Sequence, residues 1–308
     1  MTPNDKAKVL VTGATGMQGG AAVRALLRAG HPVTAFVRNP SSAAARALAG
    51  QGVALATGHM DDTASLDAAS AGHDVVFSMQ MAGVDPADPG AERRQAANIA
   101  TAAKRAGVAQ IIHTSVSATG WRSRYPDVEV TDPVMKAYWD EKEAAEEAIR
   151  QSGIDRWTIF KPAFYMDNFL PPKRDTQFPG LAEGKLFTAT SPQTVLALTC
   201  AHDFGPAVAA AVADPAKFHQ AEIDLAGDAL THAQIADTLS KAFGREITAV
   251  HITPQEQEQR LGAPSAYSNV WNDLVGYPAR PHHAARYGLT TTTLQQWAAQ
   301  QDWNTPPT

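Results

Sequence analysis

The run Lys8-Val-Leu-Val-Thr12, continued directly by Gly13-Ala-Thr-Gly16-Met-Gln-Gly19, decides the fold of this chain. Its first half is a compact β-branched strand, and the residues that follow Gly16 have the pattern of a helix. A glycine-rich turn between a strand and a helix lets the backbone approach a pyrophosphate, while the helix N-terminus offers free N–H groups to the phosphates. This context favours a dinucleotide site over a turn without a ligand. The predicted contacts are Gly13, Thr15, Gly16, Met17, Gln18 and Gly19.

Short apolar strands alternate with amphipathic helices through the first part of the chain. Strands separated by helices, and not by two-residue turns, are typical of βαβ crossovers in a parallel sheet that is buried on both faces. The predicted fold class is therefore α/β, a Rossmann-type doubly wound parallel sheet with a smaller, mixed C-terminal part that binds the substrate. We expect a dinucleotide domain over 1–165 and the second part over 166–308, interleaved across a soft boundary.

The end of the second predicted strand bears on the choice of dinucleotide. An NAD site usually places Asp or Glu there to bind the ribose 2′-hydroxyl. This chain instead reads Val37-Arg38-Asn39-Pro40, with an arginine and no acid. A guanidinium pairs with a phosphate through two parallel hydrogen bonds, which suits a 2′-phosphate. The sequence therefore predicts NADP(H) as the cofactor, with Arg38 selecting it; an ordinary surface arginine is the alternative.

Two residues on the helix after the fifth strand are candidates for the chemistry. Tyr138 and Lys142 are four residues apart, so they lie on one helical face, one turn from each other. An ammonium near a phenol favours the phenolate, so we expect Lys142 to lower the pKa of Tyr138 from its usual value of about 10. Such a tyrosine can act as a general acid toward a carbonyl that accepts hydride. The alternative is a surface pair that arose by chance.

The fifth strand ends in His113-Thr-Ser-Val-Ser117. A hydroxyl at this position can bind a substrate oxygen or the cofactor ribose, or it can be satisfied by local side-chain bonds. Thr114, Ser115 and Ser117 remain alternatives, and Ser115 is assigned as the third catalytic candidate.

Aromatic residues near the expected site are candidates for an apolar substrate pocket, with ordinary packing as the alternative. The Pro- and Gly-rich stretch Asn168–Gly184 is predicted to be a loop over a site. The assigned substrate residues are Trp121, Tyr138, Phe164 and Asn168. Further aromatic candidates are Tyr165, Phe169, Tyr267 and Trp271.

Composition excludes several classes of function. The formal net charge is −5, whereas nucleic-acid and anionic-membrane partners favour a basic face, so neither partner is expected. The single cysteine, Cys200, fits a reducing compartment, and no signal-peptide pattern is found, so a cytoplasmic location is expected. Neither a metal-ligand spacing nor a Gly-x-Ser-x-Gly elbow is present. The expected partner is a small-molecule substrate, and a homodimer is compatible with the sequence.

Taken together, these features resemble the NmrA-like, or atypical, branch of the short-chain dehydrogenase/reductase family over almost the whole chain. The glycine motif and Phe36-Val-Arg38-Asn-Pro40 match its cofactor segments, and Gly58-His-Met-Asp61-Asp62 stands where the family has a run that borders the adenine. Phe160-Lys-Pro162-Ala-Phe164 resembles its strand after the catalytic helix, and this match continues to Asn168. The resemblance implies further cofactor contacts at Met60, Asp61, Gln80, Lys142 and Phe164.

Two departures from the family pattern matter. His59 replaces the usual acid near the adenine, which puts that contact in doubt. Many members carry His in a His-Phe-Asp-x-Lys run, whereas this chain reads Tyr138-Trp-Asp-Glu-Lys142 and so restores the catalytic pair of the wider superfamily. The superfamily serine would fall on Val116, so a full triad is not claimed.

The resemblance implies two alternative functions. The first is an NADPH-dependent oxidoreductase that reduces a small carbonyl, quinone, enone or imine. The second is a non-catalytic NADP(H) sensor that binds a protein partner according to the redox state of the cofactor. The intact Tyr138 and Lys142 pair favours the reductase.

Overall fold

The computed structural model describes residues 6–82, 85 and 87–303. The described residues divide into two compact units. The first unit is drawn from Met1–Val116, Ala137–Lys161 and Ala201–Ile223, and the second from Ser117–Lys136, Pro162–Cys200 and Asp224–Thr308. This division differs from one cut at residue 165, because the chain crosses between the units several times.

The described part of the chain contains twelve strands and twelve α-helices. The strands are β1 (Val9–Val11), β2 (Val33–Val37), β3 (Ala54–Thr57), β4 (Val75–Ser78), β5 (Gln110–Thr114), β6 (Arg156–Pro162), β7 (Phe164–Tyr165), β8 (Lys185–Thr188), β9 (Val195–Thr199), β10 (Ala221–Leu225), β11 (Asp228–Thr231) and β12 (Thr248–His251). The helices are α1 (Met17–Arg28), α2 (Ala43–Ala49), α3 (Thr63–Ser70), α4 (Ala91–Arg105), α5 (Pro133–Arg150), α6 (Lys173–Gln177), α7 (Ala201–Ala213), α8 (His232–Phe243), α9 (Pro254–Leu261), α10 (Ala263–Leu274), α11 (Pro281–Ala285) and α12 (Leu294–Ala298).

A seven-stranded sheet in the order β10-β6-β5-β4-β1-β2-β3 forms the centre of the first unit. The strands from β6 to β3 in this order pair in parallel. The chain runs outward from β1 in both directions, so β1 and β4 flank the point where the strand order reverses. In doubly wound sheets, ligands bind outside the carboxyl ends of the strands at this point. The predicted Rossmann-type fold class is confirmed.

Local sequence sets where several helices begin. The Asp62 carboxylate accepts from the backbone N–H groups of Ala64 and Ser65 at the start of α3. Thr231 and Thr253 form capping boxes with Gln234 and Glu256, so α8 and α9 begin with their first N–H groups satisfied. Helix starts of this kind depend only on neighbouring residues, which is why the sequence alone predicts them well.

The second unit contains two small sheets, β11-β9-β7 and β12-β8. The segment expected as a loop over Asn168–Gly184 instead contains α6, flanked by the 3₁₀ turns Met166–Phe169 and Pro179–Glu183. That prediction was wrong because the apolar residues Phe169 and Leu181 are buried in the core of this unit and fold the stretch onto it.

The C-terminal segment is part of the second-unit core. Leu294 and Trp297 are buried beside Ile235 and Leu239 of α8. Gly227 lies so close to the main chain of Thr292 that a Cβ at Gly227 would collide with it. The Asp228 carboxylate also accepts from the backbone N–H of Leu294, at 3.1 Å. Burial and close backbone contact thus fix α12 against this unit.

No helix in the described ranges is both long enough and apolar enough to cross a membrane. The same residues hold no cluster of three or more His, Cys, Asp or Glu side chains that could bind a metal ion.

The contact between α1 and α7 gives a test of the fold. A Cβ at Gly205 of α7 would collide with the carbonyl of Ala21 in α1, so the two helices need glycine to approach this closely. We expect Gly205→Ala to lower the free energy of unfolding by about 1–3 kcal/mol, the range for overpacking. Urea denaturation monitored by circular dichroism measures this change.

Gly50→Ala is the matched control, because Gly50 has a helical φ of −64° and its Cβ would make only ordinary contacts. This control should leave the stability unchanged or raise it by about 0.4–1 kcal/mol. Equal stability of the Gly205→Ala variant and the wild type would show that the two helices can separate at no cost.

Candidate functional site

The turn between β1 and α1 is built on glycine backbones. Gly13 has a φ of 63°, in the left-handed region that favours glycine. A Cβ on Gly19 would collide with the carbonyl of Gly13, so the first turn of α1 lies directly against the strand end. No described side chain caps this helix at Gly16, which leaves its first backbone N–H groups and the positive end of its dipole open to an anion.

A cavity of about 350 Å³ opens beside this turn in the first unit. Phe36 and Met79, at the carboxyl ends of β2 and β4, give it apolar walls, and Arg38 and His59 add basic groups. The structure brings five of the predicted cofactor residues together around it, namely Gly13, Thr15, Gly16, Arg38 and Met60. Phe36, Val37 and His59 also line it, and they lie in segments that the family resemblance relates to the cofactor. The lining residues that sequence reasoning missed are Met79, Met81, Ala82, Asp85, Asp88, Ala91 and Gln95. The position of Met79 at a strand end was the available signal.

The Asp61 carboxylate, also predicted as a cofactor contact, is held by α4 instead. Arg94 Nε donates to it at 2.7 Å and Gln95 Nε2 at 3.0 Å. The Arg94 hydrogen bond outweighs partial burial and lowers the pKa of Asp61. The carboxylate is therefore charged at neutral pH and already engaged, and its role toward a cofactor stays a prediction.

A row of buried polar side chains lies at the carboxyl ends of β4 and β5. Gln80 Nε2 donates to Ser78 Oγ at 2.8 Å, and His113 Nδ1 lies 3.1 Å from the Ser78 carbonyl. Burial, followed by the charge of Lys142, lowers the pKa of His113 to about 3, so its imidazole is neutral. Gln80, a predicted cofactor residue, keeps a buried Oε1 with no hydrogen-bond partner among the described residues.

The hydroxyls at the end of β5 are buried. Thr114 and Ser115, in the first unit, and Ser117, in the second, have side-chain oxygens without a hydrogen-bond partner in the part of the chain that is described. Each is therefore a group that a ligand oxygen could satisfy, and the assignment of Ser115 in preference to the other two stays a prediction.

Lys142 is held by an acid that sequence reasoning missed. Its Nζ lies 2.6 Å from Oε1 of Glu92, whose side chain is 1% exposed in the first turns of α4. The same ammonium lies 5.8 Å from the centre of the Tyr138 ring, one helical turn away as the spacing predicts. Buried ion pairs of this kind hold each partner in place, because loss of one leaves the other charge uncompensated. Glu92 lies fifty residues before Lys142, so no local spacing signals the pair.

The expected lowering of the Tyr138 pKa was wrong. Burial of the phenol, followed by the charge of Glu92, raises the pKa of Tyr138 well above its ordinary value. The ammonium of Lys142 was expected to dominate, but its charge is compensated by Glu92 at close range. Tyr138 thus stays protonated at neutral pH, which makes it a hydrogen-bond donor and not a readily ionised acid.

The predicted substrate residues of the second unit have different surroundings. Phe164 lines a cavity together with Phe169, whereas Trp121 is fully buried with its ring centre 6.2 Å from that of Trp271. Asn168 Oδ1 accepts from Lys173 Nζ at 3.0 Å. Of the other aromatic candidates, Tyr165 is buried and Tyr267 lines a separate groove. Trp121 therefore has the surroundings of a core residue.

The raised pKa of Tyr138 predicts a spectroscopic result. The difference in 295 nm absorbance between the wild type and Tyr138→Phe should stay near zero up to about pH 10, where a free tyrosine is half ionised. Above that pH the unfolded chain releases the Tyr138 proton and the folded chain retains it, so this residue lowers stability as pH rises. A phenolate signal from Tyr138 near pH 8 would contradict the raised pKa that burial and Glu92 produce.

Comparisons with known proteins agree with this architecture. The model of the NmrA-like family matches residues 5–278. NAD(P)H azoreductase from Xenophilus azovorans is 31% identical over 275 residues, which cover 86% of this chain and 85% of that protein. The structure of an NADPH-dependent quinone oxidoreductase from Escherichia coli in complex with NADPH has a TM-score of 0.72 and 26% identity, covering 94% of this chain and 98% of that chain.

NmrA itself, a negative transcriptional regulator solved in complex with NADP, has a TM-score of 0.72 and 22% identity, covering 96% of this chain and 95% of that chain. This likeness extends to the fold alone. The family model, the azoreductase relative and the first-unit topology lead to one conclusion. The chain belongs to the NmrA-like family.

Proposed function

We propose that this protein is an NADPH-dependent reductase of a small organic molecule such as a carbonyl, quinone, enone or imine. The observation that carries the proposal is the first-unit cavity that joins the glycine turn, the open start of α1 and Arg38. Two relatives whose names describe an NAD(P)H azoreductase and an NADPH-dependent quinone oxidoreductase support the same class of reaction.

The residues of the glycine turn fit a dinucleotide. Any side chain at Gly19 would collide with the Gly13 carbonyl, and the uncapped start of α1 presents N–H groups where a pyrophosphate needs donors. Phe36, Met60 and Met79 offer apolar surface for a flat base. Gly13, Thr15, Gly16 and the first residues of α1, Met17, Gln18 and Gly19, would hold the phosphates.

Arg38 supports NADPH over NADH. It is exposed at the end of β2 and lines the cavity, where a 2′-phosphate could accept two parallel hydrogen bonds from its guanidinium. His59 also lines the cavity, in place of the acid that would repel a phosphate. Asp88 is an acid in the cavity lining, and its charge is compensated by Arg94, whose Nη2 lies 2.9 Å from the carboxylate.

A bound nicotinamide supplies the hydride, and the residues of this chain position and polarise the acceptor. Tyr138 carries its proton at neutral pH and would donate a hydrogen bond to the acceptor oxygen or nitrogen that gains electron density, while solvent would supply the proton that completes the reduction. Lys142 has three donors, and Glu92 takes one at 2.6 Å, which leaves the others for ribose hydroxyls. Glu92 thus acts as a positioning residue for Lys142.

An NADP(H) sensor that binds a protein partner is the second candidate. The observation that favours it is the same Lys142–Glu92 pair, because a compensated ammonium does not activate Tyr138 as an acid. A sensor would bind the dinucleotide without turnover. The two candidates therefore differ in what happens after NADPH binds.

The direct test is consumption of NADPH at 340 nm with a panel of quinones, azo compounds, aldehydes, enones and imines, with NADH in parallel. We expect turnover with NADPH and much less with NADH. Arg38→Gln should weaken NADPH binding roughly 10- to 100-fold, the loss of one hydrogen-bonded charge pair, and should leave NADH binding unchanged. The matched control is Arg46→Gln, an exposed arginine of α2 that does not line the cavity.

A flat trace across the panel together with tight NADPH binding would support the sensor. Equal losses for NADPH and NADH in Arg38→Gln would remove Arg38 as the selecting residue.

Tyr138→Phe tests the proposed role of the phenol in turnover. We expect kcat to fall roughly 100-fold, at the lower end of the range for losing one hydrogen-bond donor to a developing negative charge, with the Kd for NADPH close to the wild-type value. Tyr125→Phe is the control, since Tyr125 is 40% exposed. Wild-type turnover in Tyr138→Phe would mean that the phenol has no part in the reaction.

A further inference from the structure

The second unit contains a cavity of about 330 Å³ with one aromatic wall and one wall of amides and hydroxyls. We propose that this second-unit cavity binds a neutral, flat aromatic molecule that donates a hydrogen bond. Its volume lies within the range of small-molecule pockets. The inference rests on the second unit alone and goes beyond the proposed reduction, because it requires neither a dinucleotide nor turnover.

The aromatic wall is formed by Phe164, Phe169 and Phe178. Their ring centres are 4.9–6.0 Å apart in tilted and edge-on arrangements. Such a cluster offers both ring faces and ring edges, and offset or edge-on contacts are the geometries that aromatic pairs prefer. A flat ring is therefore the shape that this wall accommodates best.

The polar wall includes two amide side chains whose carbonyl oxygens are buried and lack a described hydrogen-bond partner. Gln257 is 3% exposed, and its Oε1 has no hydrogen-bond partner among the described residues. Asn272 Nδ2 donates to the carbonyl of Ser268 at 2.8 Å, which fixes the amide orientation and leaves the buried Oδ1 likewise without a partner in the described ranges. An oxygen buried without a donor is unfavourable, so a ligand that brings N–H or O–H groups stabilises it.

A third amide in the same wall provides a contrast. Asn269 Oδ1 accepts from Thr188 Oγ1 at 2.9 Å and from the backbone N–H of Ala189 at 2.8 Å, and its Nδ2 donates to the carbonyl of Ser265. This amide is satisfied by the protein and supports β8 and α10. The open acceptors are therefore specific to Gln257 and Asn272 and are not shared by every amide that lines the cavity.

The cavity lining selects neutral ligands. None of the described residues that line it is Asp, Glu, Lys or Arg. Burial, followed by the charge of His251, lowers the pKa of His232 to about 4, so its imidazole is neutral and lies 3.1 Å from Thr190 Oγ1. A carboxylate or an ammonium would lose its hydration here without gaining a countercharge.

Three naphthalenes of similar size test the proposal by isothermal titration calorimetry on the full chain without NADPH. We expect 1-naphthol to bind, 1-methoxynaphthalene to bind about tenfold more weakly because it has no donor, and 1-naphthoate not to bind. Equal binding of the first two, or tight binding of 1-naphthoate, would overturn the proposal. A negative result would leave the NADPH assays unaffected, so the two proposals can fail separately.

The double variant Gln257→Leu, Asn272→Leu removes both acceptor oxygens. The double variant should bind 1-naphthol and 1-methoxynaphthalene equally. The control variant Gln259→Leu, which changes an exposed residue of α9, the helix of Gln257, should keep the tenfold preference for 1-naphthol. A preference that persists in a folded double variant would place the ligand elsewhere. If the double variant does not fold, the ligand series on the wild type still decides the question.

Discussion

The approach of Gly19 to the carbonyl of Gly13 is the constraint on which the first unit depends. It brings the start of α1 against the end of β1, and it leaves the first helical N–H groups uncovered. The other side of α1 then packs on α7, where Gly205 permits a second close backbone approach. One helix thus connects a strand end, an anion-binding turn and a neighbouring helix, and a side chain at either glycine position would disturb more than its own contact.

Electrostatics in the first unit follow from pairs that form between distant elements. Glu92 of α4 compensates Lys142 of α5, and Arg94 of the same helix holds Asp61 after β3. Helix α4 therefore supplies charges to two neighbouring segments: Arg94 lowers the pKa of Asp61, and Glu92 adds to the effect of burial, which raises the pKa of Tyr138. The chemistry available at this sheet edge depends on where α4 lies as much as on the helix that carries Tyr138.

The sequence alone was sufficient to predict the features that depend on residues close together in the chain. Residues close together in the chain determine four such features. These are the alternation of strands and helices, the glycine turn, Arg38 at the end of β2, and the one-turn spacing of Tyr138 and Lys142. The sequence was insufficient where burial and a distant partner decide: burial of the phenol, followed by the charge of Glu92, raises the pKa of Tyr138 where a lowering was expected. The stretch after Asn168 has loop composition, yet burial of Phe169 and Leu181 determines its short helix and turns. A boundary at residue 165 places 117–136 in the first part and 201–223 in the second, whereas the contacts assign each stretch to the other unit.

The burial of α12 bears on which part of the chain is needed to complete the core of the second unit. The stretch that the family model matches stops at residue 278, whereas Leu294 and Trp297 fill the core beside α8, and Gly227 closely contacts the main chain at Thr292. The buried core of the second unit therefore extends beyond the stretch that the family model matches. A chain shortened to the matched stretch would leave the apolar face of α8 in water, and its insolubility would reflect a missing piece of core and not a defect of the matched stretch.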